Sequence, residues 1–253
     1  MQALRGKVYA FANQKGGVGK TTSAINLAAC LAEAGERSLV VDLDPQANAT
    51  SGLGMQANGT SSYDLLDGAP LRELAKPTRW ENLFLVPSRP ELAGAAVELS
   101  RRDDGDRYLA DALARGDGFD FVLLDCPPSL GPLTVNALAA ADRVVVPVQA
   151  EYYALEGLAQ LVQSIDLVKA RLNPKLGIAG VLITMADTRT TLAKDVENEV
   201  RQHFGDLVFD AVVPRSVRLA EAPSHGLPVT HYDQRSRGAE AYWKVAMELV
   251  ERA

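Results

Sequence analysis

The 253-residue sequence contains only two cysteines, Cys30 and Cys126, which lie far apart in unlike contexts. This scarcity argues against a disulfide framework and fits a reducing compartment. No apolar run approaches the roughly 20 residues that a membrane-spanning helix needs. Residues 1–7 lead directly into a short strand pattern without the apolar core of a signal peptide. We therefore expect a cytoplasmic protein.

The sequence also lacks an excess of positive charge. Its 32 acidic residues outnumber its 26 lysines and arginines, which gives a formal net charge of −6. Such a balance does not by itself indicate a nucleic-acid-binding protein. Any contact with DNA must come from a local patch that acts against an acidic background. The hydrophobic content of 47% and charged content of 23% are ordinary for a globular protein.

Seven apolar runs of strand length alternate with helical patterns along the chain. Near-continuous Val, Leu and Ile in these runs predict a twisted, mainly parallel sheet with helices on both faces. We find no repeat, low-complexity tract or linker, so residues 1–253 are predicted to form one α/β domain. The predicted strands are Val8–Ala12, Leu39–Leu43, Leu83–Val86, Phe121–Leu124, Arg143–Val148, Ile178–Thr184 and Val208–Val213. The predicted helices are 20–34, 88–99, 106–115, 132–141, 154–172, 190–204 and 237–251.

The segment with the weakest structural pattern is 46–60, which is rich in Ala, Asn, Gly and Ser. It follows the second strand at the edge where parallel α/β sheets bind ligands. A mobile switch loop is the favoured interpretation, and a passive connection is the alternative.

Residues 13–22 read Asn-Gln-Lys-Gly-Gly-Val-Gly-Lys-Thr-Thr and lie between a strand pattern and a helix pattern. Glycines there bring backbone N–H groups to an anion, and the helix dipole favours negative charge. Lys20 would reach the β- and γ-phosphates of a nucleotide, and the Thr21 hydroxyl would ligate Mg²⁺. The alternative is a glycine-rich turn without a ligand. The residues predicted to bind ATP here are Gly16, Gly17, Val18, Gly19, Lys20, Thr21 and Thr22.

Carboxylates follow two of the predicted strands. Asp42 and Asp44 lie at the end of the second strand, and alternation along an extended chain points both side chains the same way. Asp125 ends the fourth strand in the layout of a Walker B motif. Such groups suit Mg²⁺ coordination and the positioning of an attacking water. Asp125 would hold Mg²⁺ through its waters, and Asp44 is a further candidate ligand. The alternatives are a turn-forming Asp-Pro and a capping aspartate.

These motifs together resemble the ParA/MinD class of dimeric P-loop ATPases. Position 14 is Gln where the ordinary P-loop has Gly, and Lys15 precedes the glycine pair, as in the deviant Walker A motif. The resemblance implies that Lys15 reaches the phosphates of the partner subunit and that Asp44 orients the hydrolytic water. The D-x-P-P match implies that Pro127 and Pro128 stiffen a loop that senses the γ-phosphate.

Two later segments resemble the short ParA proteins called Soj. In 213–224, the pattern P-R-x-x-x-x-x-E-A-P implies that Pro214 and Arg215 border the adenine base and that Arg218 contacts DNA. The tract 148–157 also matches this family. In 184–190, the pattern T-M-x-D-x-R-T makes Arg189 the second candidate for DNA contact. The alternative for each arginine is a solvated surface position.

Residues 187–221 hold five basic and seven acidic side chains. One subunit should therefore bind DNA weakly, and two subunits would be needed to build a useful patch. Only residues 1–12 precede the loop, so we expect no helix-turn-helix domain and no sequence specificity.

The resemblance implies an ATP-dependent DNA-partitioning ATPase of the bacterial cytoplasm. It would bind Mg²⁺ and ATP, form a homodimer in the ATP state, bind nonspecific double-stranded DNA over the nucleoid, and hydrolyse ATP when stimulated by a ParB-type centromere-binding protein.

Two rival functions remain from the sequence. A MinD-type ATPase that positions the division site at the membrane would need a C-terminal amphipathic helix with a basic face. The last helix has an apolar stripe but no excess of positive charge. We therefore favour packing of this stripe in the core, with no membrane contact. Liposome pelleting would discriminate between core packing and membrane binding. The stripe is Tyr242, Val245, Ala246, Leu249 and Val250. The second rival is a metal-cluster reductase. Neither cysteine fits the spacing pattern of such a cluster, and the absorbance of the purified protein would show whether a cluster is bound.

Overall fold

Among the residues described, seven strands form one sheet in the computed structural model of the chain. The structure describes residues 6–116, 118–151, 154–187 and 189–252. The strands are β1 (Lys7–Phe11), β2 (Ser38–Asp42), β3 (Lys76–Pro77), β4 (Leu83–Val86), β5 (Phe121–Asp125), β6 (Arg143–Gln149) and β7 (Gly177–Thr184). Their order across the sheet is β3-β4-β2-β5-β1-β6-β7, and only the β3–β4 pair is antiparallel.

Helices cover both faces of this sheet, which is why β2 and β5 are buried at every residue. One apolar layer joins the helices Lys20–Glu33 and Arg237–Glu251 to the sheet, and the other joins five helices to its opposite face: Ser62–Leu66, Leu92–Leu99, Tyr108–Ala114, Pro132–Ala140 and Ala154–Arg171. The predicted α/β class is confirmed. The helices are α1 (Lys20–Glu33), α2 (Asn48–Gly52), α3 (Ser62–Leu66), α4 (Leu71–Leu74), α5 (Leu92–Leu99), α6 (Tyr108–Ala114), α7 (Pro132–Ala140), α8 (Ala154–Arg171), α9 (Thr191–Phe204), α10 (Val217–Glu221), α11 (Val229–Tyr232) and α12 (Arg237–Glu251).

Six of the seven predicted strands are confirmed to within one residue, but the prediction of a strand over Val208–Val213 is wrong. Among the described residues the chain here makes only isolated bridges, from Val208 to Val181 of β7 and from Pro214 to Ala186 just beyond the end of β7. From the first bridge to the second, one side advances five residues and the other six, so one extra residue interrupts the ladder.

Side chains bind the backbone of this interrupted segment. The Glu248 carboxylate of α12 accepts the N–H groups of Asp210 and Ala211, each at 2.8 Å. The Arg201 guanidinium of α9 donates to the carbonyl of Phe209 at 3.2 Å. These contacts satisfy backbone groups at the edge of the sheet that a further strand would otherwise pair.

Segment 46–60 contains more structure than the sequence predicted. It folds into α2 near its start, and Ala49, Thr50 and Leu53 are buried. The prediction of a loop throughout is therefore wrong, because the small side chains there pack against the sheet. The predicted helix 88–99 begins only at Leu92, since Pro90 disfavours helical backbone in the residue before it.

Helix α12 packs its apolar stripe against the body of the protein. Tyr242, Val245, Ala246 and Leu249 are buried, and the Tyr242 hydroxyl contacts the Ser23 hydroxyl of α1 at 3.1 Å. Core packing is therefore confirmed for these four residues. It is wrong for Val250, which is 48% exposed because it lies about 100° around the helix from Leu249. No helix in the described part of the chain is both long and apolar enough to cross a membrane.

Gly226, just before α11, meets the loop that follows α2 at very close range. Its φ is +64°, and a Cβ built there would lie 2.6 Å from the Cα of Gly54. We expect Gly226→Ala to lower the free energy of unfolding by about 3 kcal/mol, because it adds backbone strain to a steric clash. Urea denaturation would measure this loss.

Gly68→Ala is the matched control, since Gly68 has φ +101° but no atom within 4 Å of a built Cβ. This control should lose only about 1 kcal/mol. Equal losses in both variants would show that the approach of Gly226 to Gly54 is not tight.

Candidate active site

The glycine loop between β1 and α1 has the backbone geometry of an anion cradle. Gly17 and Gly19 have φ values of +74° and +89°, which side-chain-bearing residues rarely adopt. A Cβ built at Gly17 would meet no atom within 4 Å, so the loop is open there. The first turn of α1 contains no acidic side chain that would compete with an anion for its N–H groups. The loop therefore fits a nucleotide phosphate.

Polar side chains fix this loop to the ends of β6 and β7. The Asn13 amide donates to the carbonyl of Pro147 at 2.8 Å and accepts the Lys15 N–H at 3.0 Å. The Thr184 hydroxyl donates to the carbonyl of Val18 at 2.8 Å. Since these contacts do not depend on a ligand, the loop is held in shape in advance.

The two lysines of the loop lie in different surroundings. Lys20 is only 6% exposed, and its ammonium donates to the carbonyl of Lys15 at 3.3 Å. Burial lowers the pKa of Lys20, and the nearby Asp125 and Asp44 oppose that shift. The Lys15 side chain is 47% exposed and pairs with Glu151 at 2.6 Å. Lys20 is therefore enclosed by its own subunit, whereas Lys15 is exposed at the surface.

Asp125 lies fully buried at the end of β5, beside Asp42 on the neighbouring strand β2. Within the described ranges neither of its carboxylate oxygens has a donor in ordinary hydrogen-bond geometry, although the Thr21 hydroxyl lies near enough to act on its pKa as a weak donor. Burial, and then Asp42, raise the pKa of Asp125 well above its usual range, while the nearby Thr21 and Lys20 partly oppose this. A buried carboxylate without a well-formed hydrogen bond is rare unless a cation or its waters complete it. Asp125 and Thr21 therefore fit a hydrated Mg²⁺.

Asp42 and Asp44 differ in how many donors they have. Asp42 accepts three hydrogen bonds, from the Asp44 N–H and from the N–H and hydroxyl of Thr50, while burial raises its pKa to about 6. Asp44 is 7% exposed, and its Oδ1 accepts the Gln46 N–H at 3.0 Å. Its Oδ2 accepts no hydrogen bond from the described residues, so Asp44 keeps one oxygen for another molecule.

Comparison with known proteins places this site in a family. A family model described as an AAA domain matches residues 6–178. The chain is 56% identical to the chromosome-partitioning ATPase Soj of Thermus thermophilus and 53% identical to that of Treponema pallidum, with 98% of each chain covered in both comparisons. The chain belongs to the Soj/ParA family of chromosome-partitioning ATPases. As a member of this family it is an ATPase.

A solved structure supports the fold assignment. Cobyrinic acid a,c-diamide synthase of Mycobacterium smegmatis, solved with a bound ATP analog and magnesium, is 38% identical. Its TM-score is 0.85, with 97% of this chain and 95% of that chain covered. The single sheet described above is therefore that of a P-loop ATPase.

The Soj/ParA segment around Pro214 lies beside the end of β7. The Ala186 N–H donates to the carbonyl of Val213 at 3.1 Å, and the Arg215 N–H donates to the carbonyl of Ala186 at 3.0 Å. Pro214 and the exposed Arg215 are thus brought next to the strand whose Thr184 holds the glycine loop. Tyr152 and Tyr153 of the tract 148–157, and Thr188 of the tract 184–190, lie outside the described residues.

Both arginines that the resemblance assigned to DNA are exposed and paired with carboxylates. The Arg189 side chain is 86% exposed and makes a bidentate contact with Asp187, at 2.7 and 2.9 Å. Arg218 pairs with Glu221 at 3.0 Å and with Asp233 at 3.2 Å. The sequence did not predict these pairs, and any phosphate that binds must compete with the carboxylates.

The two residues that hold Asp42 and Asp44 were not predicted from the sequence. Thr50 and Ser88 are both buried and hydrogen-bond to this acidic pair or its backbone. One signal existed for Thr50, since a buried carboxylate at a strand end needs donors and the segment 46–60 offers three hydroxyl side chains. The two cysteines are free and buried, and burial raises the pKa of each thiol.

Proposed function

We propose that the chain acts as a single domain that binds Mg²⁺ and ATP at the loop 13–22 and drives DNA partitioning by an ATP-gated cycle. One observation carries the proposal. The fully buried Asp125 lacks a well-formed hydrogen bond and lies close to Lys20. Lys20 itself directly follows a loop whose glycines adopt left-handed backbone. Such an arrangement is incomplete without an anion and a cation together, which Mg-ATP supplies.

The residues of the site divide the hydrolysis between them. The N–H groups of Gly16, Gly17, Val18, Gly19, Lys20, Thr21 and Thr22 hold the phosphates, while Pro214 and Arg215 border the base. Thr21, and Asp125 through water, would hold Mg²⁺, which would supply positive charge to the phosphates. The free Oδ2 of Asp44 orients a water toward the γ-phosphorus. The water oxygen bonds to phosphorus while the bond from phosphorus to the β–γ bridging oxygen breaks. Both protons of the water stay on the phosphate product, which leaves as H2PO4−, and ADP leaves with the bridging oxygen.

Dimerisation would use Lys15. Its pair with Glu151 joins two half-exposed side chains, and such pairs contribute little to stability. The Lys15 ammonium is therefore free to exchange this carboxylate for the more highly charged phosphates bound to a second subunit. Lys20 has no such freedom because its own subunit buries it.

The ATP dimer would then bind DNA without sequence preference over the nucleoid. Arg189 and Arg218 are exposed, but each is already paired with acidic side chains. Each subunit alone therefore offers little net positive charge, and two subunits double the number of phosphate contacts. A ParB-type centromere-binding protein would stimulate hydrolysis and return the protein to monomers that release DNA.

Lys15→Gln tests this cycle. We expect the variant to bind ATP within about threefold of the wild type, while its ATP-dependent dimerisation and DNA binding fall by about tenfold or more, because the charge offered to the partner's phosphates is lost. Lys20→Ala should instead weaken ATP binding itself. Light scattering and DNA binding with ATP, with ADP and without nucleotide would measure these effects.

Lys175→Gln is the matched control, since Lys175 is an exposed lysine away from the loop. It should behave as the wild type does. DNA binding by the wild type that is equal with ATP and ADP would contradict the cycle. Identical defects in the Lys15 and Lys20 variants would contradict their separate roles.

A further inference from the structure

We propose that Thr50 and Ser88 are positioning residues that fix the backbone of Asp44 and thereby set the rate of ATP cleavage. The inference rests on the proposed role of Asp44 in orienting the water. It concerns two hydroxyl side chains from different elements, one in α2 and one just after β4. Neither touches the reacting atoms, and both act through Asp44.

A chain of hydrogen bonds runs through these two residues. The Thr50 hydroxyl donates to Asp42 Oδ2 at 2.7 Å and accepts the Ser88 N–H at 2.9 Å. The Ser88 hydroxyl then donates to the carbonyl of Asp44 at 2.7 Å. Asp42 Oδ1 closes the ring by accepting the Asp44 N–H at 3.1 Å. Both backbone polar groups of Asp44 are therefore held by this ring.

Burial makes the ring selective for hydroxyl groups. Thr50 and Ser88 are 3% and 2% exposed, so water cannot readily replace a lost partner. Thr50 must donate in one direction and accept in the other, which a hydroxyl does and a methyl group does not. Valine at position 50 would keep the shape but leave the Ser88 N–H without its partner, and Asp42 Oδ2 would keep only one of its two hydrogen bonds, the one from the Thr50 N–H.

The ring acts where Asp44 has little other support. The Asp44 carboxylate itself accepts only the Gln46 N–H among the described contacts, and this bond lies within the same turn. The ring ties that turn to the ends of β2 and β4, which the sheet fixes. Because a displacement of about 1 Å can cost about 100-fold in rate, the backbone anchor is expected to matter for cleavage rather than for ATP binding.

Thr50→Val is the decisive variant. We expect single-turnover cleavage of bound Mg-ATP to slow by about 10- to 100-fold, while the ATP dissociation constant changes by less than about threefold. Thr50→Ser should restore the rate because it restores the hydroxyl. Ser88→Ala should slow cleavage less, by about three- to tenfold, since the Ala47 N–H still donates to the Asp44 carbonyl at 2.9 Å.

Thr78→Val is the matched control. Its hydroxyl donates to the carbonyl of Leu83 at 2.8 Å, at the opposite end of β4. It should cleave ATP at the wild-type rate. Cleavage by Thr50→Val within about twofold of wild type, or failure of Thr50→Ser to restore the rate, would overturn the proposal. If Thr50→Val does not fold, Ser88→Ala becomes the test. Cleavage of ATP by Ser88→Ala at the wild-type rate would then overturn the proposal.

Asp44→Ala, measured in parallel, separates the two ideas. If Asp44→Ala is slow while Thr50→Val and Ser88→Ala are fast, only the positioning ring is wrong. If Asp44→Ala cleaves ATP normally, the proposed role of Asp44 is itself wrong and the ring fails with it. A loss of ATP affinity as large as the loss of rate in Thr50→Val would indicate a merely structural role.

Discussion

Asp44→Ala should bind ATP normally and cleave it about 10²- to 10³-fold more slowly than the wild type, because the attacking water loses its orienting carboxylate. Lys20, Thr21 and the loop N–H groups still hold the phosphates, so the dissociation constant for ATP should stay within about threefold. The variant should accumulate as an ATP-bound dimer. Single-turnover cleavage and size-exclusion chromatography with ATP would measure both effects.

Asp44→Asn sharpens the test because it keeps an oxygen for the Gln46 N–H but removes the charge. It should cleave ATP as slowly as Asp44→Ala if the carboxylate itself orients the water. Asp206→Ala removes an exposed carboxylate far along the chain and should leave the rate unchanged. A monomer in the presence of ATP, or fast cleavage by Asp44→Asn, would refute the assigned role.

Arg189→Glu and Arg218→Glu should each abolish DNA binding and spare ATP-driven dimerisation, since a phosphate contact becomes a repulsion. For the wild type, log affinity should fall with log salt with a slope of roughly 3 to 4, from about 0.9 for each of two arginines on two subunits. The neutral variant Arg189→Ala should lower that slope by about 1.8. Fluorescence anisotropy with duplexes of unrelated sequence would measure the slopes.

The existing ion pairs make the controls important. Replacing Arg189 also frees Asp187, whose pKa the Arg189 hydrogen bonds lower to about 2, so the local field turns negative. Arg72→Glu makes the same charge change at an exposed position of α4 and should leave DNA binding nearly intact. Full binding by the Arg189 and Arg218 reversals, a slope near zero, or strong preference for one sequence would refute the DNA contacts.

Local residue chemistry made much of the site predictable. The glycine loop needs left-handed backbone at fixed spacing, and Gly17 and Gly19 adopt it in the structure. Asp125 ends an apolar strand, and parallel pairing places it beside Asp42. Six strands were predicted to within one residue because their apolar runs are short and bounded. The strand Val208–Val213 was mispredicted, since its composition does not reveal the extra residue or the binding of its backbone by Glu248.

Local sequence patterns were sufficient to predict the α/β class, the family and the loop and acidic residues, because each depends on neighbours within about ten positions. Which side chains hold these residues depends on the folded chain. Glu151 pairs with Lys15 across 136 positions, and Ser88 reaches Asp44 across 44. Such pairs depend on the order of the strands in the sheet and on which strand ends meet at the same edge. No local pattern encodes that order, and so the ring around Asp44 and the surroundings that separate Lys15 from Lys20 emerge only in the folded chain.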